Sequence, residues 1–188
     1  DGAPVNLVAG AKNLAATQVA AAAYRVHHGE WAVGEAAGTL AARAVARRAS
    51  PATVVEDPRA RIAVQVDALR AGVPIVWSTD LDAGHPAFVA GSLLVAHGGL
   101  DEARLDRLDV RPDEPIDRAA LAALSAAAAR IAAVFDLETP APPERAGVSW
   151  ADVTRALAAP ILAAVDAAAG HHGSPDGAIA SRSRHEHE

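Results

Sequence analysis

Alanine occupies 50 of the 188 positions, and no other feature constrains the fold as much. Alanine is the best helix former, yet it buries little area per residue. A chain so rich in it favours thin, closely packed helices and disfavours a large all-β domain. Apolar residues make up 51% of the sequence and the formal net charge is only −6. Both values argue against intrinsic disorder. Seventeen basic residues face 23 acidic ones, so the chain is no polycation and no nucleic-acid partner is expected. Cysteine is absent, which removes disulfides, thiolate metal sites and cysteine nucleophiles. The compartment stays open: export, the cell surface and the cytoplasm all remain compatible. No apolar run approaches the roughly 20 residues that span a bilayer. No signal peptide is visible.

The first segment, Val5-Asn6-Leu7-Val8-Ala9, reads as a short buried strand ended by Gly10. Opening directly on a strand, in a chain without methionine, is what a piece of a longer protein would show. Residues 11–29 read as irregular or mixed. A helix fits 30–48, with Glu30 and Glu35 early and Arg43, Arg47 and Arg48 late, as the helix dipole prefers. Asp57-Pro58 supplies an N-cap and a first-turn proline for the next helix. Ile62, Val66 and Leu69 follow at helical spacing, and Gly72 is its stop. Pro74-Ile75-Val76-Trp77 reads as a second strand or extended segment. Pro86 begins a helix carrying Phe88, Val89, Leu93 and Ala96. Residues 101–115 read mostly as loop. Leu121, Leu124, Ala128, Ile131 and Phe135 make one apolar stripe on a helix at about 116–136. After the proline-rich stretch 139–143, Ser149-Trp150-Ala151-Asp152 resembles a capping box for a helix over 149–169, which Pro160 is expected to kink. The expected fold class is mainly α with one or two short β-strands.

The richest chemical signal lies between Val5 and Arg48. Gly10-Ala11-Lys12-Asn13 follows the strand; then come Tyr24-Arg25-Val26-His27 and Glu30-Trp31-Ala32-Val33-Gly34-Glu35-Ala36-Ala37-Gly38. A glycine-containing helix start can present free backbone N–H groups to an electron-rich ligand. Gly34 would let a flat ligand approach the backbone, and Gly38 would let the helix pack closely on a neighbour. A small-residue helix that merely packs tightly would show the same spacing.

The order and identity of these residues resemble the C-terminal flavin-binding segment of FAD-dependent oxidoreductases of the glutathione-reductase structural type, in the branch often labelled xanthan lyases. His28 stands where that family usually has proline, and Ala32 where it often has asparagine. The resemblance implies FAD as cofactor in the full-length protein and a two-electron oxidoreductase activity. It implies Gly10, Asn13, Gly34, Glu35, Ala36 and Ala37 at the cofactor, with a helix beginning near Gly34 aimed at the pyrimidine side of the ring. It also implies Arg25 and His27 as catalytic residues on the substrate side. The alternative for those two is an arginine in a salt bridge and an ordinary histidine. No Gly-x-Gly-x-x-Gly fingerprint occurs in the sequence. The chain is thus expected to be the C-terminal fragment of a larger α/β flavoprotein, with the N-terminal FAD-binding half as its partner. The substrate, a small molecule or a saccharide, is not readable.

Asp82-Ala83-Gly84-His85-Pro86-Ala87-Phe88, Gly98-Gly99-Leu100 and Val110-Arg111-Pro112-Asp113-Glu114-Pro115-Ile116-Asp117-Arg118 are similar to an S-layer-homology module. Asp117 and Ala120 replace that motif's threonine and acid. The residues themselves favour Asp117 as a helix cap, with Arg118 paired to a nearby acid. Three regions are therefore expected: a flavin-binding segment at 1–79, an S-layer-homology-like helical module at 80–169, and a disordered tail at 170–188. A non-enzymatic helical interaction module, or one binding cell-surface polysaccharide, is the alternative function. The histidines of the tail could chelate metal only without fixed geometry, so no metal site is expected.

Overall fold

A computed structural model describes residues 6–24, 26–144 and 147–170. Eight helices occur among them: α1 (Gln18–Tyr24), α2 (His27–Ala46), α3 (Pro51–Glu56), α4 (Pro58–Arg70), α5 (Phe88–Ala96), α6 (Glu102–Arg107), α7 (Arg118–Val134) and α8 (Trp150–Gly170). The mainly α expectation holds. The tail from 171 onward and Val5 lie outside the described residues.

The helix ends follow local chemistry. Asp57 caps α4 by accepting the Arg59 N–H at 3.0 Å, with Pro58 in the first turn. The helix closes through Gly72, whose φ of 81° suits a residue without Cβ. There the Gly72 N–H donates to Leu69 O and the Val73 N–H to Ala68 O, the paired bonds of a Schellman stop. Asp117 caps α7 through the Ala120 N–H at 2.8 Å. Ser149 does the same for α8 through the Asp152 N–H at 3.1 Å. Pro160 sits inside α8, and the helix runs on past it to Gly170.

The main core lies between α4, α5, α7 and α8. Leu124 and Ile131 of α7 are buried with Val153, Leu157 and Ile161 of α8, joined by Val66 and Leu69 of α4 and Leu93 and Leu94 of α5. Leu121 and Phe135 are partly buried against this cluster. The two long C-terminal helices therefore pack on one another. Gly91 lets α5 and α8 meet: a Cβ there would stand 2.8 Å from the buried Trp150 ring. A smaller cluster joins Ala44 of α2, Val54 of α3 and Ala60 of α4. Helix α4 thus has an apolar side in each cluster. A bidentate pair between Arg70 and Asp166, at 2.6 and 3.0 Å, ties it to α8 as well.

The two expected strands do not form ladders. Residues 6–9 and 74–77 have no strand partner, and the single bridge among the described residues joins Pro115 to Ser149. An extended segment becomes a strand only when a neighbour exchanges N–H and C=O bonds with it. Helices α1 and α6 occur where mixed or loop structure was expected, within 11–29 and 101–115, and the short α3 begins directly after Ser50. No helix among the described residues is long and apolar enough to cross a membrane.

Candidate functional site

Helix α2 presents two useful faces near its start. On one, the loop after residue 9 lies against it. A Cβ on Gly34 would stand 3.3 Å from the Gly10 carbonyl oxygen, and a Cβ on Gly10 would stand 3.9 Å from the Ala37 Cβ. Residues 10, 34 and 37, separated in sequence, are therefore brought together. Glu30 holds the same junction: Lys12 Nζ lies 3.3 Å from its Oε1, and His27 Nδ1 3.3 Å from its Oε2. These pairs are at the surface, where each contributes little to stability. Asn13 is used inside its own loop, its Oδ1 accepting the Ala11 N–H at 3.1 Å. Glu35 and Ala36 are exposed on the helix. The His27 side chain is almost fully exposed. Arg25 lies outside the described residues.

The other face borders an open groove of about 500 Å³. One wall is formed by His28, Gly29, Trp31, Ala32 and Glu35 of α2, the other by the extended segment Val73 to Trp77. Trp31 is 80% exposed and Trp77 72% exposed. Two large rings left open to solvent on the walls of one groove are unlike a packed core. A second cavity of about 200 Å³ lies beyond the same extended segment and shares Pro74, Val76 and Trp77 with the groove. That segment is held at its ends. Gly72 and Val73 close α4, while the Thr79 N–H and hydroxyl both donate to Leu108 O. The Asp80 carboxylate accepts the amides of Val110 and Arg111 at 2.9 and 2.8 Å.

The helix begins earlier than expected. Its first bond runs from the Glu30 N–H to Val26 O at 3.0 Å. The amides of His27, His28 and Gly29 consequently have no partner within α2, whereas position 34 lies inside the helix. The amides without a partner inside the helix belong to the turn that borders the groove, not to Gly34. Val26 offers no side-chain cap, so nothing in the sequence marks this start. Gly38 also differs from expectation, since a Cβ there would meet nothing within 4 Å. His28, Ile75, Val76 and Trp77 are groove residues that sequence reasoning did not select. The usable signal was two of only three tryptophans lying outside the apolar stripes.

Around α6 the geometry is that of a brace. Arg104, 7% exposed, donates from Nη1 to Asp101 at 2.7 Å and to Asp117 at 2.8 Å. Asp117 is held below the usual carboxylate range by the Ala120 amide and then by Arg104. Arg104, rather than Arg118, supplies the ion pair at this cap. No group of three metal-ligating side chains occurs among the described residues.

Residues 4–71 match the family model described as FAD dependent oxidoreductase. The match supports an FAD-dependent oxidoreductase region over these residues. It covers the Gly10 loop, all of α2 and α4, and the helical wall of the groove. The opposite wall, Val73 to Trp77, lies beyond it. No curated protein and no solved structure matches the chain.

Proposed function

We propose that residues 1–79 are the C-terminal flavin-binding segment of an FAD-dependent oxidoreductase, and that 80–169 is an S-layer-homology-like helical module bracing it. The observation that carries this reading is the seating of the Gly10 loop on Gly34 and Ala37, beside an open groove, inside the matched region. The residues present suit the ring part of FAD at the His28 and Gly29 end of the groove: small apolar residues and a helix start with no side-chain cap. They do not supply the grip for its ADP half, because the glycine fingerprint for the pyrophosphate is absent from the sequence. That grip is assigned to the N-terminal half of the full-length protein.

Bound FAD would supply two-electron redox by hydride transfer at N5. The amides of His27, His28 and Gly29, which have no partner within α2, would favour negative charge on the bound group. Ala32, on the groove wall, would help keep water from that group. Glu30 orients the His27 imidazole, which is placed to move a proton at its solvent-facing nitrogen. Gly10 and Asn13 shape the loop that would border the group, Asn13 Oδ1 accepting the Ala11 N–H. The branch labelled xanthan lyases is the one its motif order resembles.

The test is flavin retention after gel filtration. The 188-residue chain should lose added FAD, and the full-length protein should keep it in stoichiometric amount. Stoichiometric retention by the chain alone, or a full-length protein that never holds flavin, would refute this division of labour.

A further inference from the structure

The groove has a chemical character of its own. Its described lining contains two exposed indoles and one carboxylate, Glu35, and no lysine or arginine. The Glu35 carboxylate pairs with no cation among the described residues. An indole face carries negative quadrupolar potential and attracts an organic cation, most strongly a weakly hydrated alkylammonium. A carboxylate beside the rings adds net charge of the matching sign. Among the described residues lining the groove, an anion would find no lysine or arginine next to the tryptophans. The amides at the start of α2 that lack a partner inside the helix do favour anions, but their influence fades within the first turn. Glu35 is eight residues further on, about 12 Å along the helix. The groove therefore has an anion-favouring end at His28 and Gly29, and a cation-favouring stretch at Trp31, Glu35 and Trp77.

We propose that Trp31, Trp77 and Glu35 form a binding site for an organic ammonium group. This rests on the flavin reading only in making that ligand the substrate, so the substrate class becomes an amine or a quaternary ammonium compound. Trp77 lies outside the segment matched to the family. Its wall thus confers a preference that the matched segment alone does not encode. The volume, about 500 Å³, falls within the usual range for small-ligand clefts, and the open side admits a larger molecule carrying the cationic group.

The test uses the chain without flavin, so its outcome is independent of whether FAD binds. The chain has three tryptophans, and Trp150 is fully buried. A fluorescence change on adding a small ligand therefore reports Trp31 and Trp77. Choline is titrated against its uncharged isostere 3,3-dimethylbutan-1-ol at constant ionic strength. Choline should give a saturable change, with the alcohol at least about tenfold weaker. Glu35→Gln, which keeps both indoles, should weaken choline about threefold or more and leave the alcohol unchanged. Trp77→Leu should weaken choline by a similar factor, read from Trp31. Far-UV circular dichroism confirms the fold of each variant. No saturable response to choline overturns the proposal. So does an equal response to the alcohol, which would mark a merely apolar groove, or indifference to both substitutions.

Discussion

Truncating Leu124 to alanine probes the core that holds the groove's distal wall in place. Leu124 has no exposed surface and sits on α7 facing α8. It also fills the space beside Gly99, where an added Cβ would stand 3.2 Å from its Cδ2. The substitution removes three buried carbon groups, worth roughly 0.8 kcal/mol each in transfer. The surrounding helices are joined by α4 and by the Arg70–Asp166 pair, so the site cannot collapse freely and a cavity term adds to the loss. The expected cost is about 2–5 kcal/mol. For a domain of this size that lowers the thermal midpoint by roughly 5–20 °C. Differential scanning calorimetry of the native chain, Leu124→Ala and Val45→Ala checks it. Val45 is 78% exposed, and its truncation should stay within about 0.5 kcal/mol of native. Equal midpoints for native and Leu124→Ala would refute the packing of α7 on α8.

Two glycines should respond with opposite sign. Gly38→Ala meets open space on α2 and should stabilise by up to about 1 kcal/mol through helix propensity. Gly91→Ala drives a Cβ to 2.8 Å from Trp150, and overpacking of about 1–3 kcal/mol should outweigh the same gain; urea melts of the pair read both. Asp117 has a folded pKa below its unfolded one, owing first to the Ala120 amide and then to Arg104. Its contribution is therefore present above the unfolded value near 3.9 and is lost as pH falls through the folded value. Acid titration of the midpoint should show a steeper fall below about pH 4 for the native chain than for Asp117→Asn. Identical acid limbs would remove Asp117 from the balance.

The sequence made the long helices legible because their signals are local. Asp57-Pro58, Gly72, Asp117 and Ser149 mark caps and stops through side chains a few residues from the bonds they make. The stripe from Leu121 to Phe135 repeats often enough to fix a face. Helices α1, α3 and α6 span seven, six and six residues, too few for periodicity to appear. The start of α2 is not legible in the sequence because Val26, His27, His28 and Gly29 carry no capping signal. The motif around Glu30 to Gly38 pointed to the matched region, yet the role of Gly34 could not be read from spacing. Its nearest neighbour is the Gly10 carbonyl, 24 positions away. The groove was hidden for the same reason: Trp31 and Trp77 line one space only after α3 and α4 return the chain to α2.

The central claim, that the Gly10 loop seated on α2 forms the flavin-facing surface, is tested by Gly34→Val in the full-length protein. A Cβ at this position is already 3.3 Å from the Gly10 oxygen, and the two branch methyls of valine would push the loop off the helix. Position 34 belongs to neither core cluster, so the fold should survive. The measurement is FAD content per chain by absorbance, taken together with the thermal midpoint of the flavin-free protein. The account predicts that the variant loses most of its FAD while that midpoint stays within a few degrees of native, about the change expected for under 1 kcal/mol. Full FAD occupancy in Gly34→Val, with unchanged redox behaviour, would contradict it.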